Sequence, residues 1–164
     1  MLSIYLCDLT HTGQTIASNM FPLGIGLIGS YTKSRFENDV QIELFKYPEV
    51  LLQRIEESPP HILGFANYLW NLDLSYSIAE RVKQRYPSVA VVFGGPNYPE
   101  VDSEQRRFLA NHPAIDFYVH KEGECAFADL AGELIHSRMD IQRAKEGSLQ
   151  GIHHCIGDEI VLND

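Results

Sequence analysis

Five short β-branched or aromatic runs, each followed by turn residues and most of them by a segment of helical period, constrain the fold more than any other feature of the chain. They are Ser3 to Cys7, Val40 to Lys46, Ile62 to Ala66, Val89 to Phe93 and Asp116 to Val119. Between them, Leu74, Ile78, Val82 and Tyr86 recur every four residues. Phe127, Leu130, Ala131, Leu134 and Ile135 follow the i, i+3, i+4, i+7, i+8 spacing of a helix packed on a core. Leu23, Ile25, Leu27, Ile28 and Tyr31 read as the apolar part of another helix. Pro48 suits the first turn of a helix carrying Leu51, Leu52 and Ile55, and Ser103 suits the cap of a shorter one carrying Phe108 and Leu109. Strands alternating with helices imply right-handed crossovers. The predicted fold is therefore α/β, a doubly wound five-stranded parallel sheet covered on both faces, Rossmann-like or flavodoxin-like. The run VAVVFGG is apolar throughout, as a central strand buried on both faces must be. Residues 139–150 are polar and irregular, and GIHHCIGDEIVLND predicts a C-terminal β-hairpin around Gly157-Asp158.

Composition narrows the class of partner. A chain of 164 residues is a prior of one domain with a real core, and 45% apolar against 21% charged residues excludes a disordered or fibrous chain. Thirteen basic against 22 acidic residues give a net charge of −9, which argues against nucleic acid or an anionic membrane surface as partner. No apolar run reaches the roughly 18–20 residues of a membrane-spanning helix. MLSIYLCDLT has no basic n-region and alternates like a strand, so no signal peptide is expected. Cys7, Cys125 and Cys155 are odd in number and far apart, which excludes a disulfide scaffold and a local zinc or iron–sulfur site. The expectation is a soluble, cytoplasmic, single domain.

In such sheets ligands bind beyond the carboxyl ends of the strands, near the topological switch point. The loops that matter are then Asp8 to Phe21, Asn67 to Leu72, Gly94 to Asp102 and His120 to Glu124. The first is long for a mere connection. Its Thr10, His11, Thr12, Gly13 and Gln14, followed by Thr15, Ser18 and Asn19, suit a large ligand with many polar substituents. Asn67, Tyr68, Trp70 and Asn71 offer an aromatic wall and amide groups, or else pack under the next helix with Asn71 or Asp73 as its cap. Gly94 and Gly95 bring bare backbone to a ligand, and Pro96 and Asn97 stiffen the loop. Glu122, Gly123 and Glu124 open the last long helix, where acidic residues are expected from the helix dipole alone.

Other chemistries fail on placement. Gly24-Ile25-Gly26-Leu27-Ile28-Gly29 matches G-x-G-x-x-G, which motivates a nicotinamide or flavin dinucleotide site. That fingerprint must open directly after the first strand, yet sixteen positions separate Asp8 from Gly24. The glycines are better read as a flat helix face that lets backbone approach the sheet or a ligand. A phospho-receiver would need an acceptor aspartate after the third strand, where Ala66-Asn67 stand. The P-loop motif is absent, and no serine occupies a nucleophile elbow.

Taken together, DLTHTGQ, PLGIGLIGSY, ILGFANYLWNLDLSYSIAERVK, VVFGGPNYP and DFYVHKEGECAFADL resemble the N-terminal cobalamin-binding domain of cobalamin-dependent radical S-adenosylmethionine enzymes. The closing GIHHCIGDEIV is similar to the hairpin that leads to the catalytic barrel of that family. The resemblance implies a corrinoid over the carboxyl edge of the sheet, its nucleotide tail beside the first helix against Gly24, Gly26 and Gly29. It implies a division into a cobalamin-binding-like α/β domain, 1–138, and a linker with hairpin, 139–164, leading towards a catalytic barrel of the same polypeptide.

Two departures from the pattern carry chemical meaning. Methionine synthase and mutase domains carry D-x-H-x-x-G, whose histidine ligates cobalt; here His11 stands three rather than two positions after Asp8. His11 is thus a candidate cobalt ligand, while the radical enzymes that lack the histidine imply base-off binding without a protein ligand. C-x-x-x-C-x-x-C is absent, so the iron–sulfur cluster and S-adenosylmethionine would belong only to a domain missing from this chain. The expected function is corrinoid binding for a catalytic barrel. The alternative is a corrinoid-free Rossmann-like module for docking or partner recognition.

Overall fold

The computed structural model describes residues 1–12, 20–157 and 159–163. Five strands run parallel: β1 (Leu2–Cys7), β2 (Val40–Phe45), β3 (Ile62–Ala66), β4 (Ala90–Gly94) and β5 (Phe117–Val119). The hairpin strands β6 (Ile152–Ile156) and β7 (Glu159–Leu162) do not stand apart. β6 pairs antiparallel with β5, and the sheet has seven strands in the order β2-β1-β3-β4-β5-β6-β7. The predicted five-stranded parallel sheet is therefore the parallel part of a larger mixed sheet. Its order 2-1-3-4-5 is that of flavodoxin-like folds, with the switch point between β1 and β3.

Strand alternation divides the core in two. Ile4 and Leu6, Ile62, Ala90 and Val92, and Phe117 and Val119 face α1 (Leu23–Phe36), α5 (Gly123–His136) and the short α6 (Ile141–Lys145). Tyr5 and Cys7, Leu63 and Phe65, Val91 and Phe93, and Tyr118 face α2 (Pro48–Glu57), α3 (Leu72–Arg85) and α4 (Asp102–Asn111). Period-two alternation makes both faces apolar, so β1, β3, β4 and β5 are buried from both sides, while the edge strand β2 leaves Gln41 and Leu44 exposed. Pro48 occupies the first turn of α2. Ser103 does not cap α4, because the helix starts one residue earlier, at Asp102, with Val101 in the cap position.

The three glycines of α1 do not share a face. At about 100° per residue, Gly26 and Gly29 lie about 60° apart while Gly24 points about 140–160° away from both. A Cβ on Gly29 would touch Ile42, Leu6 and Leu44, one on Gly26 would meet the Phe21 ring, and one on Gly24 would meet nothing. Only Gly24 is thus free to receive a ligand. By the same geometry Ile25 is buried, whereas Leu23, Leu27 and Tyr31 are exposed.

Residues 139–150 hold α6, capped by Asp140, whose carboxylate accepts the N–H groups of Gln142 and Arg143. Ala144, Leu149 and Ile152 join the core beneath α5. Asp116 ties this region to the sheet: its carboxylate accepts Lys83 Nζ at 2.9 Å and the Val91 N–H at 2.8 Å, with Lys145 Nζ at 3.9 Å. Among the described residues, no helix is long and apolar enough to cross a membrane.

Candidate functional site

Two cavities open at the carboxyl edge of the sheet, on either side of the first turn of α1. One is a slot of about 260 Å³ between α1, the sheet and the start of α5. Its floor is one row of the sheet, Leu6 beside Gly64 beside Val92. The row has a gap because Gly64 carries no side chain: a Cβ there would stand 2.8 Å from Leu6 Cδ2 and 3.7 Å from the Phe127 ring. Ile25 and Ile28 of α1 form one wall and Phe127 of α5 the other. Tyr68, Gly94, Gly95, Lys121, Glu122, Gly123 and Glu124 ring the mouth. Gly123 lets the two helices close on each other, since its Cβ would lie 3.1 Å from Ile28 Cδ1.

A second cavity, of about 290 Å³, is lined by Asp8, Thr10, Lys46, Phe21, Tyr68 and Trp70 and shares Gly24 and Tyr68 with the first. The Tyr68 and Trp70 rings stack at 4.6 Å and 4°. Burial raises the Asp8 carboxyl above the ordinary carboxylate range, and Lys46 pulls it partly back. Burial also raises the Tyr68 phenol, with Asp8 adding to the effect. Trp70 remains 49% exposed, so the aromatic pair presents a flat apolar surface to whatever covers the edge.

The amides serve a different purpose from the aromatic groups. Asn67 is fully buried. Its Nδ2 donates to the Asn97 carbonyl at 2.7 Å and to Tyr118 Oη at 3.0 Å, its Oδ1 accepts from Asn97 Nδ2, and Tyr118 Oη donates to the Gly95 carbonyl at 3.1 Å. The loop after β4 is thus fastened to the loop after β3 from beneath. Burial keeps the Tyr118 phenol protonated far above its ordinary range, which preserves its donor role. Asn71 sits in the cap position of α3, but its Oδ1 accepts the Tyr68 N–H and its Nδ2 donates to the Leu9 carbonyl. His11 Nε2 donates to the Trp70 carbonyl at 2.8 Å, a tie between the loops after β1 and β3, and Thr12 donates to Glu49 of α2.

Of the residues singled out in the sequence, Gly24, Tyr68, Gly94, Gly95, Glu122, Gly123 and Glu124 meet at the slot, and Thr10 and Trp70 at the second cavity. Asn67, Asn71 and Asn97 lie behind the surface or in the network just described, while His11, Thr12 and Pro96 line neither cavity. Gly13 and Gln14 lie outside the described residues, with Thr15, Ser18, Asn19 and Asp158. Leu6, Gly64, Phe127, Lys121, Asp8 and Lys46 line a cavity although their place in the sequence assigns none of them a binding role. For Gly64 a signal existed, since a glycine inside a buried strand marks a close approach of something else.

A flavodoxin-like sheet with an apolar slot at its switch point and glycines along the rim defines a doubly wound domain with a cavity at its carboxyl edge, the place where such sheets bind ligands. Residues 10–131 match the B12 binding domain family. The chain belongs to that family. It is 33% identical over 130 residues to 2-(S-pantetheinyl)-carbapenam-3-carboxylate methyltransferase of Streptantibioticus cattleyicolor, covering 74% of this chain and 18% of that protein. It is also 33% identical over 127 residues to the cobalamin-dependent radical SAM methyltransferase TokK of Streptomyces tokunonensis, covering 73% and 18%. The fold is similar to that of the cobalamin-dependent S-adenosylmethionine radical enzyme OxsB, solved with aqua-cobalamin and S-adenosylmethionine. That match has a TM-score of 0.74 and 17% identity, over 99% of this chain and 22% of OxsB. The chain therefore spans less than a quarter of the length of these relatives.

Proposed function

We propose that this chain holds cobalamin across the carboxyl edge of its sheet, with the nucleotide tail in the slot beside α1, as the corrinoid-binding unit of a longer radical S-adenosylmethionine enzyme. The observation that carries the reading is the cradle at Gly64 and Gly24. It is a gap in a buried row of the sheet that a single Cβ would invade, continuous with a helix position where a Cβ meets nothing. In this reading residues 1–138 form the binding domain and 139–164 lead towards a catalytic barrel that supplies the iron–sulfur cluster and S-adenosylmethionine. Bound cobalamin supplies a cobalt centre able to carry a transferable group.

The residues of this chain bind, orient and exclude water. Gly94 and Gly95 offer bare backbone to the corrin, Tyr68 and Trp70 offer an apolar wall, and Glu122, Gly123 and Glu124 border the tail entrance. Asn67 and Asn97, with Tyr118, hold the Gly94-Gly95 backbone in place. Thr10 faces the second cavity among Asp8 and Lys46, groups suited to the amide substituents of the ring. The engagement of His11 Nε2 with the Trp70 carbonyl supports base-off binding without a protein ligand to cobalt, and makes His11 a loop fastener.

An absorbance titration with hydroxocobalamin and methylcobalamin, on the unmodified chain and on His11→Ala, tests this. A base-off spectral change in both proteins is the expected result. A nitrogen-ligated spectrum in the unmodified chain that turns base-off in His11→Ala would make His11 a cobalt ligand instead. No spectral change with either corrinoid would favour the docking-module reading.

A further inference from the structure

The slot is apolar in a way that bears on which corrinoid it accepts. Leu6, Gly64 and Val92 pair with one another across β1, β3 and β4, so the backbone polar groups of the floor face along the sheet into its ladder. Phe127 and Ile28, on the two walls, carry no polar atom on their side chains. The polar side chains that line the slot belong to residues beyond the strand ends, at its mouth. A volume of about 260 Å³ is below the roughly 300–1,000 Å³ of pockets that take a whole drug-sized ligand, so it has room for a base and not for a macrocycle.

We propose that this slot selects corrinoids by their lower base, accepting benzimidazole-type bases and discriminating against purines, with Gly64 as the specificity-determining position. The inference rests on the corrinoid reading above. A purine brings ring nitrogens and an exocyclic amino group to a floor and walls that offer no hydrogen bond. Each polar group buried there loses its water without replacement. The fused ring and methyl groups of dimethylbenzimidazole bury apolar surface in the same space. Gly64 sets the depth available, because any side chain there meets Leu6 and narrows the slot towards Phe127.

Titration of the 164-residue chain with three probes decides the matter: cobalamin, the adenine-bearing corrinoid, and cobinamide, which has no base. Binding is read from quenching of Trp70, the sole tryptophan, and from visible absorbance. The expected result is that cobalamin binds at least about 10-fold more tightly than the adenine form, and more tightly than cobinamide. Gly64→Ala should weaken cobalamin and leave cobinamide unchanged. Equal affinity for cobalamin and the adenine form, or for cobalamin and cobinamide, would overturn the selectivity while leaving corrinoid binding intact. Failure of all three probes would overturn the corrinoid reading and the selectivity with it.

Discussion

Gly95 carries a φ of +128°, and a Cβ built on it would stand 2.7 Å from the Asn67 carbonyl oxygen and 3.0 Å from its nitrogen. Both facts exclude a side chain, so this position turns the chain over the end of β3 where no other residue can. Gly95→Ala should destabilise the fold by about 1–3 kcal/mol, seen as a lower urea midpoint, and should weaken corrinoid binding because the loop backbone must move. An unchanged midpoint would contradict the claim. The importance of this glycine is legible in the sequence, since a glycine pair directly after an apolar strand marks a turn with no room for side chains. The role of Asn67 is not. Its partners Asn97 and Tyr118 lie 30 and 51 residues away, and only the fold reveals that an amide beside aromatic residues is spent on the loop beneath the site. His11 is similar: its bond to the Trp70 carbonyl spans 59 residues, a distance over which spacing motifs say nothing.

Among the elements, the strands and long helices follow from periodicity, because burial on two faces leaves few choices of residue. The helix α6 is hidden in a polar, irregular stretch, since five residues are too few to display a period; its signal is the Asp140 cap instead. In α1 the apolar and glycine positions are visible, but their division between sheet, slot and solvent depends on rotation about the helix axis. β6 carries two buried histidines, His153 and His154. His154 is 1% exposed, its Nε2 donates to the Lys145 carbonyl at 2.9 Å, and its Nδ1 has no hydrogen-bond partner among the described residues. Burial holds this imidazole below its ordinary pKa of 6.5, with the bond to Lys145 opposing the shift. The unfolded chain then takes the proton more readily than the fold. Its contribution to stability is full above the unfolded pKa and is lost as pH falls below that value towards the depressed folded pKa. The urea midpoint should therefore drop between about pH 7.5 and about pH 5.5, and His154→Leu should reduce the drop. An equal drop in the variant would remove His154 as its source.

At the scale of the whole molecule, the class of fold is readable because strand–helix alternation admits few topologies. The membership of β6 and β7 in the same sheet is not, because a hairpin sequence does not say which edge it will join. Pairing of Phe117 with His154 and of Val119 with Ile152 makes that choice. The position of the site is legible from the same topology, which puts four loops at one edge. Its interior is not, since the slot is made by an absent side chain at Gly64 and by apolar residues that serve the core elsewhere. The central claim is that a corrinoid occupies this edge and its slot. Nitrogen–proton correlation spectra of the chain, recorded with and without methylcobalamin, test it most directly. The amide signals of Gly24, Gly64, Gly94, Gly95 and Gly123 are predicted to move, while those of Gly132, Gly147 and Gly157, away from the slot, stay in place. Spectra unchanged by the corrinoid, or changes confined to the second group, would contradict it.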